Sequence, residues 1–256
     1  MKTTRRSFSL GVAGFTLATS MAIVPRGMAA QESTPAATDM GNAVTALGIG
    51  EEGDAVVNVV HASPDAPAVD VYVDGEQVLT GLAFGEYSGW VALPAGEHQI
   101  QVTPEGAEPG DAVIDTTVTV EAGVAYEIAA TGLLEEITPQ IYPVDLSMLE
   151  DEMARFRVIH ASPDAPAVDI AVADGDVLIE GLEFPNASDY LEVPAGTYDL
   201  EVRPAGTTDV ALDLPGVELE AGMVYDVFAI GQLEDETLMV LIVPATTTAA
   251  QATPAS

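Results

Sequence analysis

With 256 residues, 48% of them hydrophobic, the chain is long enough for one large or two medium domains with real cores. It has no cysteine, which excludes disulfides, thiolate metal sites and cysteine nucleophiles. Asp and Glu total 41 against seven Lys and Arg, a balance that repels nucleic acid and anionic lipid and favours solubility, cations or basic partners.

Residues 1–30 read as an export signal of the twin-arginine type. Arg5 and Arg6 stand ahead of Phe8 and Leu10, and the weakly apolar run from Leu10 to Val24 includes Gly11, Gly14, Thr16, Thr19 and Ser20. The run ends at Gly27-Met28-Ala29-Ala30, whose small residues suit a signal peptidase. It is shorter than the roughly 20 residues that span a bilayer, so no stable membrane span is expected after its removal. Cleavage takes away Lys2, Arg5, Arg6 and Arg26 and leaves Arg155, Arg157 and Arg203 as the basic residues. The expected location is secreted, extracellular or at the cell surface. Residues 31–54, mixing Thr, Ala, Pro, Gly and acids without periodicity, predict a flexible acidic linker.

A ten-residue stretch, HASPDAPAVD, runs from His61 to Asp70 and returns letter for letter from His160 to Asp169. Further matched pairs include Asp74-Gly75 with Asp174-Gly175, Pro94-Ala95-Gly96 with Pro194-Ala195-Gly196, and Tyr126 with Tyr225. The spacing is that of a duplicated domain, not of a solenoid, with one copy at 55–143 and the other at 155–244. Between them, in the linker 144–154, Leu146, Leu149 and Met153 fall at helical spacing and predict a short helix. Residues 245–256, rich in Thr and Ala, predict a disordered tail.

Inside each copy the signals are those of strands. Val69, Val71 and Val73 alternate with Asp70, Tyr72 and Asp74, and Asp74-Gly75 supplies a tight turn into Val78–Leu82. Tyr87–Leu93, His98–Val102, Val113–Val120, Ala125–Ala130 and Ile137–Tyr142 follow, each with a counterpart in the second copy. The predicted fold is all-β: two tandem immunoglobulin-like antiparallel β-sandwiches, preceded by the signal peptide and joined by the short helical linker. Tyr126 and Tyr225 each sit three residues after a turn glycine, as in the tyrosine corner of such sandwiches.

The signature admits two readings. Val57, Val59 and His61 share one side of an extended chain, as do Phe156, Val158 and His160, so each histidine lies on the inward row. On the structural reading His61 donates to a loop carbonyl or to Asp65, and Pro64 and Pro67 stiffen the loop. His160, Pro163, Asp164 and Pro166 repeat the device. On the cation reading His61, Asp65 and Asp70, with His160, Asp164 and Asp169, hold calcium or zinc, although neither copy completes a calcium-loop pattern. No catalytic constellation is singled out: His61, Ser63 and Asp65 are too close in sequence for a conventional triad, and no nucleophile elbow occurs.

HASPDAPAVDVYVDG followed by an LPAG turn resembles a family of secreted bacterial and archaeal domains, often in tandem, known as domain of unknown function 4397. The likeness covers about 56–143 and 156–244. It implies an extracellular β-sandwich module and transfers no catalytic residue and no cofactor. Ala171 stands where the first copy has Tyr72, so a surface built on Tyr72 is not shared. The expected function is a non-catalytic secreted or cell-surface module with a binding or structural role in the envelope. Its partners would be cell-wall material, surface glycan or another envelope protein, and Tyr72, Tyr87, Trp90 and Tyr190 are the aromatics available for a glycan. The alternatives are a cation-binding extracellular domain and, behind it, a hydrolase.

Overall fold

The computed structural model describes residues 40–247. The expected export signal, the first residues of the expected linker and the last of the expected tail lie outside the described residues. The first repeat contains β1 (Asp54–His61), β2 (Val69–Val73), β3 (Glu76–Leu82), β4 (Val91–Pro94), β5 (Gly96–Pro104), β6 (Ile114–Val120), β7 (Ala125–Thr131) and β8 (Thr138–Val144). The second contains β9 (Met153–His160), β10 (Val168–Val172), β11 (Val177–Leu182), β12 (Leu191–Pro194), β13 (Gly196–Pro204), β14 (Leu212–Leu219), β15 (Met223–Ile230) and β16 (Met239–Thr246). The hairpin between β2 and β3 turns on Asp74 and Gly75, both at positive φ (52° and 83°), which is the backbone a two-residue turn demands of Asp-Gly.

Each repeat is a sandwich of two four-stranded sheets, ordered β4-β1-β7-β8 over β3-β2-β5-β6 and β12-β9-β15-β16 over β11-β10-β13-β14. The sandwiches are not wholly antiparallel. β1 pairs parallel with β7, and β9 with β15, because period-two alternation specifies which face a residue takes but not the direction of its neighbour strand. Between the sheets of the first repeat lie Val57, Val69, Val71, Ile100, Val102 and Ile128. Phe156, Val158, Ile170, Val202 and Val227 do the same in the second.

A third core joins the repeats. All seven residues of β7 are buried, as are all but the first of β9 and of β15, so these strands are covered on both faces. Val60, Ala129 and Tyr142 of the first repeat pack with Ile159, Phe228 and Val243 of the second. The described residues therefore form a stack of four sheets.

That extra layer accounts for two departures from the expected linkers. Residues 145–150 form no helix. Leu146 is fully buried against Ala43, Val56 and Val224, its N–H donates to the Met40 carbonyl, and the Asp145 carboxylate accepts from the Ser147 N–H. An Asx turn and tertiary bonds use the backbone groups that a helix would need, and Glu152 at φ 64° ends the segment. The second departure is at 40–54, expected to be a flexible linker. There Asn42 caps a short helix, α1 (Ala43–Leu47), by accepting from the Thr45 N–H at 3.0 Å. Met40, Ala43 and Ala46 are buried. Small apolar residues without periodicity find a surface that exists only once two repeats are stacked. β16 likewise runs to Thr246, inside the expected tail, and the Thr246 hydroxyl donates to the Ala46 carbonyl.

Candidate functional site

The signature loops connect β1 to β2 and β9 to β10. His61 is fully buried at the end of β1, with Nε2 2.9 Å from the Pro67 carbonyl. A carbonyl can only accept, so Nε2 carries the proton and Nδ1 holds the lone pair. That Nδ1 is buried without a hydrogen-bond partner, and the ring edge faces Phe84. His160 repeats the bond with the Pro166 carbonyl at 3.0 Å, and its Nδ1 accepts the Ser162 N–H. Burial lowers the pKa of both imidazoles, with the carbonyl contacts acting against it, so both rings are neutral at pH 7.

The aspartates of the signature are occupied by backbone amides. Asp70 accepts from Gly81 at 2.8 Å and from Gly106 at 2.9 Å, tying the β3 strand to the turn after β5. Asp169 does the same with Gly181 and Gly206. Asp65 accepts from the Leu134 N–H, and Asp164 from the Leu233 and Glu234 N–H groups as well as from the Ser162 hydroxyl of its own loop, so each anchors a distant loop. Among the described residues no three His, Asp or Glu come together as a metal would need. The six candidate ligands are thus dispersed, one per anchor point. Tyr126 and Tyr225 accept at their hydroxyls from the N–H of Glu121 and Glu220, five residues back.

A polar cluster that the sequence reading missed lies between the repeats. Asn58 and Arg157 stand three residues before the two signature histidines, and their ladder partners are Glu127 and Asp226. All four are buried. Arg157 donates to both oxygens of Asp226, and its guanidinium lies 4.6 Å from the ring centre of Tyr190 and 5.7 Å from that of Tyr142. The Tyr190 hydroxyl donates to Asp226 at 2.8 Å. Glu127 has no cation of its own, and its Oε2 has no hydrogen-bond partner. Burial, reinforced by the Asp226 carboxylate, pushes its pKa well above the usual carboxylate range. Alternation assigns these side chains to a wet face. The usable signal was that β7 is otherwise apolar or small along both rows, as a strand covered on both faces must be.

Two of the four aromatics considered for a glycan belong to this same interface. Trp90 packs there with its indole N–H donating to the Pro244 carbonyl, and Tyr190 flanks Arg157. The Tyr72 hydroxyl donates to the Ala107 carbonyl, and Tyr87 remains exposed.

The first repeat is open at one sandwich edge. Between β3 and β4, which end their respective sheets, a cavity of about 300 Å³ reaches Val57, Val71, Ile100 and Ile128 in the first core. Its mouth is bordered by Val78, Val91, Asp74 and Glu76. His98 closes one end: Nδ1 lies 2.7 Å from Asp74 and Nε2 2.7 Å from the Pro94 carbonyl. Both partners are acceptors, so this imidazole is a cation; burial opposes that charge, but Asp74 and the carbonyl raise the pKa. In the second repeat Tyr198 takes the place of His98 and donates to the Pro194 carbonyl.

The profile of a family described as domain of unknown function (DUF4397) matches residues 55–171 and 157–256. The chain belongs to the DUF4397 family. Both matched regions contain a signature loop, so the buried histidine and the amide-binding aspartates recur in each DUF4397 repeat of this chain. No curated protein matches the chain in sequence. Among solved structures, the Bacillus anthracis TIE protein is similar at 10% identity and TM-score 0.24, over 70% of this chain and 34% of its own length. A streptococcal virulence factor, solved in a study of alpha-glucan binding, is similar at 8% identity and TM-score 0.24, over 77% of this chain and 98% of the other. A proposed cell adhesion protein from Bacteroides ovatus is similar at 9% identity and TM-score 0.26, over 77% and 99%.

Proposed function

We propose that this DUF4397 protein is a non-catalytic module of the exported envelope space, acting by binding and not by turnover. The observation that carries the reading is the use made of the signature. Its histidines and aspartates, the groups best able to do chemistry, are spent on loop carbonyls and amides, with the only free imidazole lone pair buried. Among the described residues, the exposed feature suited to a ligand is a shaped apolar opening, not a set of converging polar groups. A location outside the cytoplasm rests on the amino-terminal sequence. No helix of the described residues is long and apolar enough to cross a membrane.

Two measurements test this. Replacing Arg5 and Arg6 together by lysine is expected to leave the protein inside the producing cell, because the paired arginines are what the export route reads. Export of the double variant at the original level would remove the twin-arginine assignment. The purified protein is expected to sediment with isolated envelope material and to leave a panel of glycoside, ester and peptide substrates unchanged. Turnover that Asp70→Asn and His61→Gln abolish without unfolding the chain would overturn the non-catalytic reading.

A further inference from the structure

The open edge of the first repeat has the features of a peptide site, and this inference rests on the binding role proposed above. β3 and β4 each pair on one side only, so the mouth of the cavity is flanked by two strand edges that no neighbouring strand covers, with the Gly81 N–H and the Pro94 carbonyl already taken by Asp70 and His98. An extended chain can add to such an edge by main-chain bonds while alternate side chains enter the space between the sheets. The opening is wide enough to take them: Val78 and Val91 at the mouth are 49% and 50% exposed, and the cavity is about 300 Å³. In the second repeat Phe156 stands where the first has Val57; the cavity of about 190 Å³ beside it is lined from β14 and β16, and the pocket at the β11–β12 edge is bordered by Leu178, Ile179 and Leu191 without reaching Phe156, Val158 or Ile170.

Charge selects the occupant. Among the described residues every cation is already matched: Arg155 with Asp145 and Glu192, Arg157 with Asp226, Arg203 with Glu201, and His98 with Asp74. The surface therefore offers carboxylates without free cations, and the mouth carries Glu76 beside the His98–Asp74 pair. A second copy of this chain would bring like charge to the edge, and an anionic lipid would be repelled in the same way. A segment with apolar residues on one row and Lys or Arg on the other satisfies both the slot and its rim. We propose that the slot between β3 and β4 binds an extended, cationic, alternately apolar peptide segment of another protein.

The test uses the purified chain and a fluorescein-labelled decapeptide of alternating lysine and valine, followed by anisotropy. Controls are the alternating glutamate–valine and lysine–serine decapeptides. The lysine–valine peptide is expected to bind at least about tenfold more tightly than either control, and more weakly in high salt. Val91→Arg, at a half-exposed position, is expected to weaken binding by about tenfold or more by filling the mouth and offsetting its negative charge. Val78→Arg should do the same, whereas Val177→Arg on the corresponding strand of the second repeat should leave binding within about twofold. Equal binding of a control peptide, no binding at all, or an equal loss with Val177→Arg would overturn the proposal. So would binding of phosphatidylcholine vesicles, blocked by Val91→Arg, in place of peptide binding. If the peptide fails while the chain still sediments with envelope material, the slot is the wrong site and the binding role stands. If the peptide binds while envelope material does not retain the chain, the failure lies with that broader role.

Discussion

Glu127 is the residue whose chemistry is least like its appearance in the sequence. A carboxyl with a pKa raised by folding keeps its proton in the native state after the unfolded chain has released it. Its contribution to stability is complete below the ordinary value of 4.5 and is lost as pH rises through the folded value. His98, raised from 6.5 by Asp74 and the Pro94 carbonyl against the effect of burial, acts in the same direction on the alkaline side. His61 and His160, lowered from 6.5 by burial, act oppositely: the unfolded chain takes up their protons first as pH falls, and stability is lost there. The melting temperature should therefore decline on both sides of a maximum. Glu127→Gln is expected to flatten the alkaline limb and raise the melting temperature at about pH 8 by a few degrees, leaving the acid limb unchanged. An unaltered alkaline limb in that variant would show that Glu127 is ionised in the native protein. Arg157→Met leaves the buried Asp226 without its cation and is expected to cost about 3–5 kcal/mol, read from the denaturant midpoint. Asp70→Asn exchanges a charged acceptor of two amides for a neutral one and should cost about 1.5–3 kcal/mol by the same measurement.

At the scale of elements, the strands were legible and the connections were not. Asp74-Gly75, the valine alternation around Asp70 and the glycine-to-tyrosine spacing are local codes, and local codes are what a sequence displays. The site residues divide in the same way. That His61 lies on an inward row follows from counting along β1, but that Asp65 reaches the Leu134 amide 69 residues away has no local signature. The segments 40–54 and 145–152 misled because what orders them is the junction of two repeats, which neither segment encodes alone. Gly41 shows how tight that junction is. It has φ 77°, and a Cβ placed on it would stand 2.5 Å from the Leu146 carbonyl oxygen. Gly41→Ala should therefore detach α1 and lower the melting temperature by several degrees. Asn42→Ala removes only the cap and should cost about 1 kcal/mol. Comparable losses in the two variants would mean that α1 is held by its cap and not by its contact with the linker.

For the two repeats together, the apolar contact between them is expected to make two sandwiches one cooperative body. Calorimetry of the chain is expected to give a single transition whose van't Hoff and calorimetric enthalpies agree, even though the sequence counts two domains. Two separable transitions would show that the junction around Phe228 and Tyr142 is weaker than its burial implies. A chain cut to residues 55–143 would expose the outer face of β7, all of it buried in the intact protein, and is expected to associate or aggregate instead of remaining monomeric.

The faces that meet at this junction are the same patch of the repeat, as in a two-fold dimer, yet their central residues differ: Asn58 and Glu127 on one side, Arg157 and Asp226 on the other. If the first repeats of two chains met through this patch, they would bury two carboxyls and no cation. If second repeats met, they would crowd two guanidinium–carboxylate pairs into one dry layer. Only the mixed pairing places a single cation at the centre with one charged and one protonated partner. The duplicated surface is thus complementary between a first and a second repeat, and not between two like repeats.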